Sequence, residues 1–179
     1  MSTESLIALF HHRWAPPALA LLDDRDGARF VELQRKLDVG HDSLRRALDA
    51  LIELGYVRRN PGYGHPLRPE YVITAAGRGS AEVARRASRA TTRETLLRKW
   101  SVPVLAELGG GRRFSQLRAA LPGVTPHALA LALRDLEEAR LVRREVLPTR
   151  PPSTLYRASR RGAAVLLGGE DDLDARTGA

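Results

Sequence analysis

The sequence predicts a mainly α-helical protein with small β wings, in which one domain of about 80 residues occurs twice. Three observations predict it. Leu44, Ala47, Leu48 and Leu51 recur at the i, i+3, i+4, i+7 spacing of a helix with one buried stripe. That helix, from about His41 to Leu54, follows a shorter one with Phe30, Leu33 and Leu37 on one face, and precedes a hairpin with a Pro/Gly-rich tip. Matched residues then recur 84 to 86 positions further on. Short helix, tight turn, longer helix and hairpin is the pattern of a winged helix-turn-helix.

Taken in order, Ser5 to His12 predicts a short leading helix. Pro16 and Pro17 suit the first turn of the next helix, where a missing N–H costs little. Asp23 to Gly27 turns the chain into Phe30. Gly55 stops the long helix, and Val57 to Asn60, the Pro61 to Pro66 loop and Glu70 to Ile73 form the wing. Thr74 should cap the following helix, Ala75 to about Ala90, through its hydroxyl. With only a thin apolar stripe, this Ala/Arg-rich helix reads as a connector. Thr91 to Glu94 carries a capping-box pattern and predicts a new helix start leading to Trp100.

The second copy repeats this plan. Arg13-Trp14 recurs as Lys99-Trp100, and Phe30, Leu33 and Leu37 recur as Phe114, Leu117 and Leu121. SLRRALDALIELGYVRR (from Ser43) recurs as ALALALRDLEEARLVRR (from Ala128), and Thr74…Gly77 as Ser159…Gly162. Thr125-Pro126 reads as an N-cap with proline at the first helical position, and the second wing spans Val142 to Leu147 and Thr154 to Ala158. The expected domains are 1–88 and 89–168. The Gly/Asp-rich residues 169–179 have no periodicity and are expected to be disordered.

Net charge is +8, nearly all of the positive charge being arginine, which favours an anionic partner, most simply nucleic acid. An Arg/Ala-rich composition can also follow from GC-rich coding, so charge alone does not decide. The absence of cysteine excludes disulfides, thiolate metal sites and cysteine nucleophiles. No apolar run approaches the roughly 18 residues that span a bilayer, and His11, His12 and Arg13 interrupt any signal-like segment. A soluble, cytoplasmic protein without membrane partners is the expectation.

Five scattered histidines lack metal-ligand spacing, and there is no H-E-x-x-H, G-x-S-x-G or P-loop. Gly109 to Gly111 aligns with the Asp23 to Gly27 turn and is a connector. No enzyme, metal or cofactor is expected.

Both halves resemble the HxlR branch of bacterial MarR-like winged-helix regulators. The resemblance is carried by the basic-Trp helix start, the RF-x-x-L-x-x-x-L helix, the step into the wing through Leu, Val and Arg, and the Pro…Tyr…Thr/Ser…Gly exit. It covers about Arg13 to Gly79 and Lys99 to Leu166 and is closer in the second half. It implies sequence-specific binding of duplex DNA by a dimeric transcription factor.

In the first copy His41, Ser43, Arg45 and Arg46 occupy the outward N-terminal part of the long helix, and an arginine there can bond a guanine edge or a phosphate bidentately. Asp42 would repel phosphate unless used as a cap. Arg58, Arg59, His65 and Arg68 lie where a wing reaches phosphates. In the second copy the candidates are Thr125 and His127, with Arg143, Arg144, Arg150 and Arg157 for phosphates. Ala130 and Leu131 replace the arginines there, so base readout by this copy is weakened.

Trp14 and Trp100 are either core anchors or, with Ala130 and Leu131, part of a pocket for a small hydrophobic or aromatic effector. The leading expectation is a tandem regulator whose copies pair within the chain as a pseudo-dimer, with a further homodimer left open. The rivals are a small-molecule-sequestering protein and a protein–protein adaptor.

Overall fold

The computed structural model describes residues 1–60, 70–148 and 153–168. The first half runs α1 (Thr3–Leu9), α2 (Ala15–Arg25), β1 (Ala28–Arg29), α3 (Phe30–Leu37), α4 (His41–Glu53), β2 (Val57–Asn60), β3 (Glu70–Ile73) and α5 (Ala75–Arg89). The second runs α6 (Arg93–Leu96), α7 (Ser101–Glu107), β4 (Arg112–Arg113), α8 (Phe114–Ala120), α9 (Pro126–Glu138), β5 (Val142–Leu147), β6 (Ser153–Ala158) and α10 (Arg160–Leu167).

Each half carries a three-stranded antiparallel sheet in the same order, β1-β3-β2 and β4-β6-β5. The registers correspond: Val57 faces Ile73 and Arg58 faces Val72, as Val142 faces Ala158 and Arg143 faces Arg157. Leu44, Ala47, Leu48 and Leu51 of α4 are buried, as their spacing requires. In α9 the corresponding Leu129, Ala132, Leu133 and Leu136 are buried.

The exit from each wing is built alike. The Thr74 N–H donates to the Tyr56 carbonyl at 2.9 Å, its hydroxyl donates to the Gly55 carbonyl at 2.6 Å, and the hydroxyl oxygen accepts the Gly77 N–H at 3.1 Å. Ser159 repeats this on Leu141, Arg140 and Gly162 at 2.9, 2.8 and 3.1 Å. Glycine is required three residues on: a Cβ at Gly77 would lie 2.2 Å from the Tyr56 carbonyl oxygen, and one at Gly162 2.1 Å from that of Leu141.

Several expectations need correction. Two-residue strands β1 and β4 were not expected; they add to the outer side of β3 and β6, with Ala28 opposite Tyr71 and Arg112 opposite Tyr156. Asp23 and Asp24 belong to α2, and the turn is confined to Asp26 and Gly27, both with positive φ. The leading helix starts at Thr3, because Ser2 caps it by accepting the Ser5 N–H at 3.2 Å. The Thr91–Glu94 capping box does not form: Thr92 is the N-cap without a side-chain bond, and Glu94 pairs with Arg13 instead. Asp42 is not a cap either; Gly40 takes that place.

Helix α5, expected as a connector from its thin apolar stripe, packs closely against the first half. It lies along α2, burying Ala81, Ala84 and Ala87, and Arg78, Arg85 and Arg89 pair with Asp23, Asp24 and Asp26 of α2. Burial alone would lower the Arg85 pKa, but the hydrogen bonds it donates to Asp24 and Asp23 outweigh it and raise it. A single network of buried apolar residues runs from Leu19, Leu48 and Ala84 through to Leu105, Leu133 and Val165. Helix α1 packs on α7, where the Thr3 hydroxyl donates to Glu107. Helix α5 meets α10.

Candidate nucleic-acid interface

Burying one stripe of α4 turns His41, Arg45, Arg46 and Asp49 to solvent, with Ser43 half-buried. Arg45 and Arg46 make no hydrogen bond or ion pair among the described residues, so their guanidinium donors remain available. His41 is more constrained. Its ring packs on Phe30 with centroids 4.8 Å apart, joining α4 to α3, and its Nδ1 lies 3.4 Å from the exposed Asp42 carboxylate.

On the first wing Arg58 is exposed on the outer face. Arg59 folds back: its Nη2 donates to the Tyr71 hydroxyl at 3.0 Å and its Cζ lies 5.3 Å from that ring's centroid. It thus fixes the hairpin as well as presenting charge. His65, Arg68 and Arg150 lie outside the described residues, as does the tail from 169.

Helix α9 presents a different surface from the same scaffold. Thr125 is its N-cap, accepting the Ala128 N–H at 3.1 Å. His127 and Ala130 are exposed and Leu131 is half-buried. Counting from the caps, Ala130 and Leu131 stand where α4 carries Arg45 and Arg46. Arg143 and Arg144 are exposed on β5 without an ion pair among the described residues. Arg157 is engaged, with Nη1 donating to the Gly110 carbonyl at 2.5 Å and Nε 3.4 Å from Glu145.

Trp14 is half-buried on the wall of a cleft of about 270 Å³, with Leu21, Lys36, Leu37, Arg93 and Leu97 among its neighbours. Trp100 is half-buried elsewhere, with Lys99 Nζ 5.0 Å from its ring centroid. Trp100, Ala130 and Leu131 do not line the Trp14 cleft. Among the described residues no cluster of His, Cys, Asp or Glu could hold a metal ion, and no helix is long and apolar enough to cross a membrane.

The start of each short helix is fastened in the same way with different chemistry. The Glu32 carboxylate accepts the Arg29 N–H at 3.0 Å, and that bond holds its pKa below the ordinary value. Gln116 accepts the Arg113 N–H at 2.8 Å in the other copy.

Sequence reasoning passed over Arg140, Arg160 and Arg161, which converge with Arg143 on a second cleft. Lining up the two halves held the signal, since the first half has Gly55, Ala75 and Ala76 at the matching positions.

A short helix, a longer solvent-facing helix and an antiparallel wing define the winged helix-turn-helix class of protein. Residues 95–167 match the HxlR-like helix-turn-helix family. An uncharacterised HTH-type transcriptional regulator of Synechocystis is 44% identical over 68 residues, covering 37% of this chain and 50% of its own. The HTH-type transcriptional regulator YvaP of Bacillus subtilis is 32% identical over 73 residues, covering 40% of this chain and 68% of its own. A MarR-family transcriptional regulator from Enterococcus faecalis, known by crystal structure, shares 32% identity over 41% of this chain and 68% of its own, with a TM-score of 0.40. The chain belongs to the HxlR-like helix-turn-helix family. It spans about half the length of the Synechocystis relative and of a similar regulator from Methanothermobacter thermautotrophicus.

Proposed function

We propose that the protein is a duplex-DNA-binding transcription regulator in which two winged-helix domains, 1–88 and 89–168, act in one chain as a pseudo-dimer. The observation that carries this reading is the pair of exposed arginines, Arg45 and Arg46, without a partner among the described residues, on the outward N-terminal turns of α4. A helix entering the major groove reads bases from those turns. The names of four relatives, each an HTH-type transcriptional regulator, support the same class. In this reading the first copy supplies base readout, while the second rests on phosphates through Arg143 and Arg144. Residues 95–167, the family-matching stretch, thus hold the helix with Ala130 and Leu131 in place of the two arginines.

The recurring element order supports a duplication, and the contacts between halves support a pseudo-two-fold pairing. The last helix of each half, α5 and α10, meets its counterpart. The leading helix α1 packs on α7, while α6 residues share a cleft with α2, which is the reciprocal arrangement. Charged Arg13, Lys36, Arg93 and Glu94 rim that cleft, which disfavours a purely apolar effector there.

A mobility-shift titration of the full chain against random and genomic duplexes tests the function. Salt-dependent, sequence-selective binding is expected, and its absence at low salt would refute the reading. Small-angle scattering should give one compact particle per chain; two freely tumbling bodies would remove the pseudo-dimer.

A further inference from the structure

The second copy carries a feature the first lacks. Where α9 ends, Arg140, Arg143, Arg160 and Arg161 line a cleft of about 560 Å³, with Glu137 its one carboxylate among the described residues. None of the four arginines has an ion-pair partner among the described residues, and Arg161 Nε is buried without a hydrogen-bond partner. The arginine cluster of α5, by contrast, is neutralised, Arg78, Arg85 and Arg89 pairing with Asp26, Asp23 and Asp24. Here like charges are left facing one another, which costs stability unless an anion fills the space.

Arg140 sits at φ +57°, a left-handed conformation that favours glycine, and its counterpart Gly55 sits at +70°. Arg160 and Arg161 stand where the first copy has Ala75 and Ala76. Three arginines are therefore placed on a scaffold that accepts smaller residues, one of them against backbone preference. The hydrogen bonds of Ser159 pin the start of α10 to the α9–β5 turn, so the four side chains issue from one rigid corner. The positive end of the α10 dipole points the same way.

We infer that this cleft is an oligophosphate-binding site. Guanidinium groups match phosphate oxygens bidentately, and four of them against one carboxylate suit a ligand of several negative charges rather than a single carboxylate. The phosphates belong either to a free phosphorylated ligand or to a DNA backbone. The cleft lies at the far end of α9 from its reading turns, roughly 20 Å along a helix of 13 residues. The inference does not rest on the DNA-binding reading, because one arm of its test contains no DNA.

The test is calorimetric titration of the full chain with sodium tripolyphosphate at low ionic strength, beside the double variant Arg140→Gly/Arg160→Ala and a control, Arg118→Ala. The double variant installs the first copy's own residues, so it should fold. Binding by the parent, weakened about tenfold or more in the double variant and unchanged in the control, supports a free phosphorylated ligand. If tripolyphosphate does not bind but the double variant shows a shallower salt dependence on duplex, by about 0.9 per lost contact, the site takes backbone phosphates. Tripolyphosphate affinity and duplex salt slope both unchanged by the double variant, or absent altogether, overturn the site.

Discussion

Arg86 of α5 caps α10: its Nε donates to the Val165 carbonyl at 2.9 Å and its Nη2 to the Leu166 carbonyl at 2.8 Å. Those carbonyls lie in the last turn, where a helix has no internal donors left. Glu82 holds the same guanidinium at 3.0 Å, so one side chain ties the final helices of both halves. Replacing Arg86 by Met keeps the stem and removes both bonds. A loss of about 1.5–3 kcal/mol in denaturant-induced unfolding is expected, the range for hydrogen bonds to a charged group. A change below about 0.5 kcal/mol would mean that the two helices hold together without it.

The two copies should contribute unequally to DNA affinity. Arg45→Ala with Arg46→Ala should weaken duplex binding by about 2–5 kcal/mol and relax sequence preference, at roughly 1–3 kcal/mol per good base contact. His127→Ala, on the exposed start of α9, should cost much less. Equal losses in anisotropy titrations would contradict the division of labour.

Ala130→Arg tests what α9 does at its surface. If that helix rests near phosphates, the new guanidinium adds one contact, and the slope of log affinity against log salt steepens by about 0.9. Ala130 is exposed, so the arginine meets no desolvation barrier in the free protein. An unchanged slope would place α9 away from the duplex.

The fastening of α3 should titrate while that of α8 does not. Glu32 has a folded pKa below its ordinary value of 4.5, because it accepts the Arg29 N–H. A depressed carboxylate stabilises the fold above the unfolded pKa and loses that contribution as pH falls through the folded value. Lowering the pH below about 4.5 should therefore loosen the first copy, with no matching effect at Gln116. Glu32→Gln should flatten the acid side of the melting-temperature profile; an unaltered profile would show that the bond does not matter.

The wing exits should be intolerant of a single methyl group. Gly77→Ala and Gly162→Ala each force a Cβ into a carbonyl oxygen, at a cost of about 3 kcal/mol. Gly79→Ala, two residues along α5 in open space, should instead stabilise by about 0.5–1 kcal/mol. Similar melting temperatures for all three would contradict the close packing of each wing exit.

The sequence by itself determined the helices and the strands of the hairpins, because those are set by local spacing. Leu44, Ala47, Leu48 and Leu51 can share a face only in a helix, and Thr74 and Ser159 cap whatever follows them. It also marked Arg45 and Arg46 as outward, since a buried stripe leaves the complementary face to solvent. Other features depended on residues distant in the chain. Two-residue β1 and β4 exist only because β3 and β6 offer them free edges. Glu94 abandoned its helix cap for Arg13, 81 residues away. The arginines of α5 look like a solvated basic face until α2 brings three aspartates against them. Arg140 and Arg160 lie twenty positions apart and meet only when Ser159 closes α10 onto the end of α9. Local periodicity fixes which way a side chain points, but only tertiary packing decides which charges it meets, and so which of them remain free to bind.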